Sequence, residues 1–100
     1  MLLGEAWPRL AGQVRDALTR DGEHELAAQI DGLPVVQRCE CGDDFCQSFH
    51  TAPPPDGGYP LERHRNWYAE DSPGWDGELV LDVVDGLVVY VEVLDREPLD

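Results

Sequence analysis

The sequence of 100 residues contains no lysine, and its positive charge comes from seven arginines set against 21 acidic residues. The formal net charge at pH 7 is −14. A chain this acidic repels phosphate backbones and anionic lipid headgroups, so we expect neither nucleic acid nor a membrane surface as a partner. A basic protein is the partner that this charge favours, although an acidic excess also serves simply to keep a small protein soluble.

Long apolar runs are missing too. The first residues, MLLGEAWPRLAG, lack a basic segment and are interrupted by Gly4 and Glu5, which is not typical of a secretory signal. No run approaches the length of about 20 apolar residues that a membrane-spanning helix needs. The bias towards Ala, Gly, Pro, Arg, Asp and Val indicates a GC-rich bacterial genome. We therefore expect a cytoplasmic bacterial protein, in which thiols stay reduced.

The motifs of the common enzyme classes are absent. The sequence has no glycine-rich phosphate loop, no G-x-S-x-G and no H-E-x-x-H. Asp82, Tyr90 and Glu92 fall on one face of a predicted hairpin and could act in acid–base chemistry, but a solvated sheet face explains them better. A Cys46–His50 nucleophile pair has no orienting pattern to support it. The sequence therefore predicts a protein that is not an enzyme.

Residues 1–33 predict a helical hairpin. Apolar residues recur at three- and four-residue steps along a first helix, which carries Pro8 in its first turn and stops at Asp21-Gly22. Asp21 is placed to cap a second helix, which Gly32 ends. The apolar positions of the two helices are Trp7, Leu10, Val14, Ala17 and Leu18, then Leu26, Ala27 and Ile30.

The rest of the chain predicts strands. Residues 34–52 indicate two strands around a cysteine centre, 53–77 are loop-rich, and 78–96 form a C-terminal hairpin. The segment LERHRNWYA within the loop-rich part fits either a short strand or irregular structure; its arginines are expected to pair with surface acids while Trp67 fills the core. Together these segments predict a single α+β domain over residues 1–100. Two N-terminal helices pack on a small antiparallel sheet of about four strands, which ends in a long β-hairpin.

The register of that hairpin can be argued from ELVLDVVDGLVVYVEVL. A two-residue turn at Asp85-Gly86 would place Asp82 among valines, whereas a three-residue loop with Gly86 left-handed makes one face wholly apolar. A slip of one residue exchanges the faces, so the sequence predicts the three-residue loop. The apolar face would then carry Leu79, Leu81, Val83, Leu87, Val89, Val91 and Val93, and the other face Val80, Asp82, Val88, Tyr90, Glu92 and Leu94.

The segment RCECGDDFCQSFH contains all three cysteines of the chain. Thiolate and imidazole groups folded back around its glycine could hold a structural zinc ion, with His64 as a substitute ligand. Zinc knuckles usually separate their first two cysteines by more than one residue, so buried thiols and a redox-active cysteine pair stay open. An odd number of cysteines excludes a closed disulfide framework within one chain. The four candidate zinc ligands are Cys39, Cys41, Cys46 and His50.

With VVQRCECGDDFCQSFHT and LVLDVVDGLVVYVEVLD both in view, the chain resembles a group of small uncharacterised actinobacterial proteins. These combine a Cys-x-Cys-Gly centre with a C-terminal Asp-Gly hairpin. Some small acidic proteins of this general look are immunity proteins, which neutralise a basic toxin domain. The resemblance thus implies an immunity-like, protein-binding role and assigns no residue to it. The residues themselves leave two alternatives: a small zinc-stabilised structural module and a thiol-based redox sensor.

Overall fold

The computed structural model describes residues 1–38, 46–53, 62–69 and 77–94. Its helices come first in the chain and pack on one face of a five-stranded antiparallel sheet. The predicted α+β class is confirmed, with one strand more than the sequence indicated. None of the helices in the described ranges is long and apolar enough to cross a membrane.

The helical part contains α1 (Leu3–Ala6), α2 (Pro8–Arg20), α3 (His24–Gln29) and a 3-10 turn (Ile30–Gly32). As predicted, Pro8 opens its helix, where its missing N–H leaves no helical hydrogen bond unmade. The helix stops before Gly22, which has a φ of 79° that suits glycine. The prediction that Asp21 caps the next helix is wrong: α3 has no side-chain cap, and the Asp21 carboxylate accepts a hydrogen bond from Trp67 instead.

The sheet contains β1 (Gln37–Arg38), β2 (Phe49–His50), β3 (His64–Tyr68), β4 (Glu78–Val84) and β5 (Leu87–Leu94). Their spatial order is β1-β2-β5-β4-β3, and every neighbouring pair is antiparallel. The two strands predicted around the cysteine centre therefore do pair with each other, although each spans two residues. The segment that fitted either a strand or irregular structure forms β3, at the edge of the sheet next to the hairpin.

The hairpin resolves its register differently from the prediction. Val84 pairs with Leu87 across a two-residue turn in which Asp85 and Gly86 both have positive φ, 53° and 80°. The register then shifts between Asp82 and Val83, because β5 has an extra residue, Val89, at a bulge. The predicted three-residue loop is thus wrong: Val88 joins the core cluster, Leu87 is exposed, and Val89 at the bulge is buried outside that cluster. The bulge has the effect that was predicted for the three-residue loop, because it keeps Asp82 off the core face.

The two faces of the sheet differ in chemistry. The inner face packs against the helices and is apolar apart from Arg38 and Arg65 at its margins; Trp7 joins it with its ring 5.1 Å from that of Phe49. The outer face, as the alternation of the strands defines it, is mixed. Core residues of the inner face are Phe49, Trp67, Leu79, Leu81, Val83, Val88, Val91 and Val93. Outer-face residues are His50, His64, Asn66, Tyr68, Glu78, Val80, Asp82, Val84, Tyr90, Glu92 and Leu94.

Candidate functional site

The cysteine centre lies partly within the described residues. Cys39 and Cys41 fall outside them, whereas Cys46 and His50 fall inside. Cys46 forms a bridge with Leu94, and the Gln47 N–H donates to the Val93 carbonyl over 2.8 Å, so residues 46–50 run extended along β5. Four residue steps of a strand place the Cα atoms of Cys46 and His50 about 13 Å apart.

Each of these two side chains has its own surroundings. The Cys46 thiol lies 3.4 Å from the Ser48 hydroxyl, which in turn accepts a hydrogen bond from the Val93 N–H over 3.0 Å. The His50 ring packs against Tyr90 with the ring centroids 4.5 Å apart and the ring planes tilted by 53°. The His50 Nδ1 atom is buried and has no hydrogen-bond partner among the residues that the structure describes. The structure therefore places His50 beside Tyr90 and Cys46 beside Ser48.

This geometry sets a demanding condition for the predicted zinc site. In a tetrahedral site the sulfur and nitrogen ligands come within about 3.5–4 Å of each other, so Cys46 and His50 would have to lean together along the strand. The substitute ligand His64 lies on β3, with β5 and β4 between it and β2. No group of three or more His, Cys, Asp or Glu side chains in the described ranges is arranged to hold a metal. Zinc at Cys39, Cys41, Cys46 and His50 stays a prediction, which metal analysis of the purified protein tests.

The basic and aromatic residues in and just before β3 bond this edge of the sheet to neighbouring elements. Arg65 donates two hydrogen bonds to the Glu23 carboxylate, over 2.9 and 3.2 Å, and Arg63 pairs with Asp85 over 3.2 Å. The hydrogen bond with Glu23 is the main cause that raises the pKa of Arg65. Trp67 is buried and its indole N–H donates to Asp21 over 2.8 Å. The expectation that these arginines pair with acids while Trp67 fills the core is confirmed.

Carboxylates gather on the outer face. Asp82 accepts a hydrogen bond from the Asn66 amide, and His64 Nε2 lies 3.0 Å from the same carboxylate oxygen. Glu92 is half-buried on the neighbouring strand; burial, followed by the charges of Glu78 and Asp82, raises its pKa. Among the described residues, neither Glu78 nor Glu92 forms an ion pair. Among the described residues the face thus holds three carboxylates near one another, of which only Asp82 has a basic side chain beside it.

The same face exposes aromatic surface. Tyr68 is 56% exposed and lies in register with Val80, which lies in register with Glu92 on the other side. Tyr90 lies in register with Asp82 and has its ring against His50. Carboxylates beside phenol rings suit the binding of a cation, because both the charge and the ring face attract it. The tilted contact of His50 with Tyr90 was missed by sequence reasoning, since it depends on β2 lying beside β5, which no local pattern signals.

The chain was compared with protein-family models, with curated proteins and with solved structures, and it matched none of them.

Proposed function

We propose that this protein is a non-enzymatic binding protein, immunity-like in its mode of action, which uses an acidic surface against a basic protein. The observation that carries the proposal is the distribution of charge. The chain has three times as many acids as bases, and Arg15, Arg38, Arg63 and Arg65 are engaged with other residues of the same chain.

Three arginines join separate parts of the fold through carboxylates. Arg15 on α2 pairs with Asp31 in the 3-10 turn, Arg65 on β3 pairs with Glu23 before α3, and Arg63 pairs with Asp85 at the hairpin turn. A fourth arginine, Arg38, lies 5.5 Å from the centre of the Trp7 ring. These cations hold elements together, so the acids that remain are available to an outside partner.

An acidic surface of this kind mainly accelerates and orients association. Complementary charge steers a basic protein into contact and raises the association rate, and this contribution falls as salt is added. An inhibitor that must reach a toxic basic protein quickly gains from such steering. Tight binding itself then requires a contact surface of suitable chemistry, in addition to the overall charge.

The experiment uses the proteins encoded beside this gene. Each basic neighbour is purified, and its binding is measured by calorimetry at low and at high salt, with an acidic neighbour as the control. We expect tight binding to a basic neighbour that weakens strongly with salt, and rescue of growth when a toxic neighbour is co-expressed with this chain. A gene neighbourhood without any basic or toxic product, or basic neighbours that do not bind, contradicts the proposal.

A further inference from the structure

The proposed function leaves open which surface meets the partner, and the two faces of the sheet are not equivalent in this respect. The inner face is occupied by α2, α3 and the 3-10 turn, whose apolar residues complete the core. None of the helices and strands in the described ranges packs on the outer face. The mixed face of β3, β4 and β5 therefore meets no described helix or strand; Glu78, Asn66 and Tyr68 are exposed on it, Glu92 is half-buried and Val80 is buried.

Charge on the outer face is arranged against the stability of the fold. Glu92 lies diagonally across from both Glu78 and Asp82 of the neighbouring strand, and the charges of these two carboxylates disfavour the charged form of Glu92. An arginine on this face would relieve the repulsion. The two arginines in and just before β3 have other partners, because Arg65 reaches Glu23 and Arg63 reaches Asp85. Among the residues that the structure describes, no arginine pairs with Glu78 or Glu92, so these two carboxylates are suited to meet the cations of a basic partner.

Aromatic groups extend the same surface. Tyr68 presents more than half of its surface to solvent. It pairs with Val80 of β4, which pairs in turn with Glu92 of β5. Tyrosine is among the residues enriched at protein interfaces, where it contributes both apolar area and a hydroxyl. A guanidinium group can lie flat on a phenol ring while it donates to a carboxylate nearby. Tyr68 on β3 and Glu92 on β5 offer these two features from either side of Val80, two strand spacings or about 10 Å apart.

We propose that the outer face of β3, β4 and β5 is the docking surface, and that it takes an arginine-bearing segment of the basic partner. This inference rests on the proposed function. One guanidinium lies on the ring of Tyr68 and pairs with Glu92, while Glu78 receives a neighbouring cation. A second copy of this chain is the wrong occupant, because it would bring another net charge of −14 to the interface.

The test uses a labelled oligo-arginine peptide, an oligo-lysine peptide of equal length, and fluorescence anisotropy at low salt. The outer-face variant is Glu78→Gln/Glu92→Gln. The control is Asp16→Asn/Glu25→Gln, which removes the same charge from exposed helical positions. We expect the outer-face variant to bind oligo-arginine about tenfold more weakly, and the control to lose at most about twofold. The wild type binds oligo-arginine more tightly than oligo-lysine, and Tyr68→Ser abolishes this preference.

The two levels of the proposal fail differently. Equal losses in the two double variants overturn the outer-face site, yet leave binding by overall charge intact. An arginine preference that survives Tyr68→Ser also overturns it. If the wild type dimerises with rising concentration and the outer-face variant dimerises more strongly, the occupant is a second copy and the inference is wrong. If the wild type binds neither peptide, the docking surface fails, and the assay with the neighbouring gene products decides the proposed function separately.

Discussion

Gln29 anchors the C-terminal hairpin to α3, and we expect its replacement by alanine to destabilise the fold substantially. Its side-chain oxygen accepts a hydrogen bond from the Val88 N–H over 2.9 Å, and its amide nitrogen donates to the Gly86 carbonyl over 3.0 Å. Val88 lies next to the bulge, where the pairing of β4 with β5 is interrupted, and its side chain is fully buried. Gln29 therefore provides a bond that the sheet itself does not supply.

The size of the effect follows from the group left without a partner. A buried N–H that loses its acceptor costs about 1–3 kcal/mol. Alanine has a slightly higher helix propensity than glutamine, which returns a few tenths of a kcal/mol. We therefore expect Gln29→Ala to lower the free energy of unfolding by about 2 kcal/mol. In a domain of this size such a loss lowers the melting temperature by roughly 10 °C.

Urea unfolding followed by tryptophan fluorescence measures this change, with Gln37→Ala as the matched control. Gln37 is exposed on β1, so the same substitution there should change stability by less than about 0.5 kcal/mol. Gln29→Glu keeps an acceptor for Val88 but loses the donor to Gly86, and should therefore keep the Val88 amide protected from hydrogen exchange. Equal stability of the two alanine variants, or a Val88 amide still protected in Gln29→Ala, would refute the reasoning.

Three further predictions concern the turn, the edge strand and the outer face. Gly86→Ala should destabilise the fold by about 1 kcal/mol, because Gly86 has a φ of 80°. Gly32→Ala should not, because Gly32 has no positive φ and a Cβ atom added there would meet no atom within 4 Å. The urea midpoints of the two variants test this difference. Asp21→Ala should lower the free energy of unfolding by about 1 kcal/mol, because it removes the acceptor of the Trp67 indole N–H. Asp21→Asn keeps an acceptor oxygen and should lower it less. A Trp67 indole proton that exchanges equally slowly in both variants contradicts this prediction. Glu92→Gln should raise the melting temperature at pH 7: the pKa of Glu92 is raised in the folded state, so its charged form disfavours folding above that pKa. This gain in melting temperature should vanish as the pH falls below about 4.3, the pKa of glutamate in the unfolded chain, because the carboxyl group is then neutral in both states. Melting curves from pH 7 to pH 4 test the prediction. A gain that grows on acidification contradicts it.

The helices and the hairpin were predictable because their signals are local. Proline at the start of α2 and glycine after its end are each sufficient to set a boundary, and Asp85-Gly86 fixes the position of the turn. The register at the turn was not predictable. A three-residue loop and a two-residue turn followed by a bulge both shift one strand by one residue. Both therefore keep Asp82 off the apolar face, and the pattern of valines fits either.

The partners of individual side chains were predictable only by type. Arginines were expected to pair with acids, but the choice of Glu23 for Arg65 depends on β3 lying beside the α2–α3 turn. The same limit applies to the candidate site. The alternation of the hairpin put Asp82, Tyr90 and Glu92 on one face, whereas His50 joined them because β2 pairs with β5, a contact about 40 residues apart in the chain.

Neutralising a carboxylate of the outer face should affect stability and binding in opposite directions. This difference distinguishes a docking surface from acidic residues that serve only solubility. An exposed acid kept for solubility gains nothing from being half-buried beside two other carboxylates, where burial and repulsion disfavour its charge. A carboxylate that binds a cation of the partner destabilises the free protein and is stabilised only in the complex. Functional sites commonly retain such destabilising groups. Glu92→Gln should therefore stabilise the free protein and weaken its complex, whereas a solubility acid such as Asp16 should change neither when neutralised. A Glu92→Gln protein that is more stable and binds its partner unchanged would assign the outer-face carboxylates to solubility.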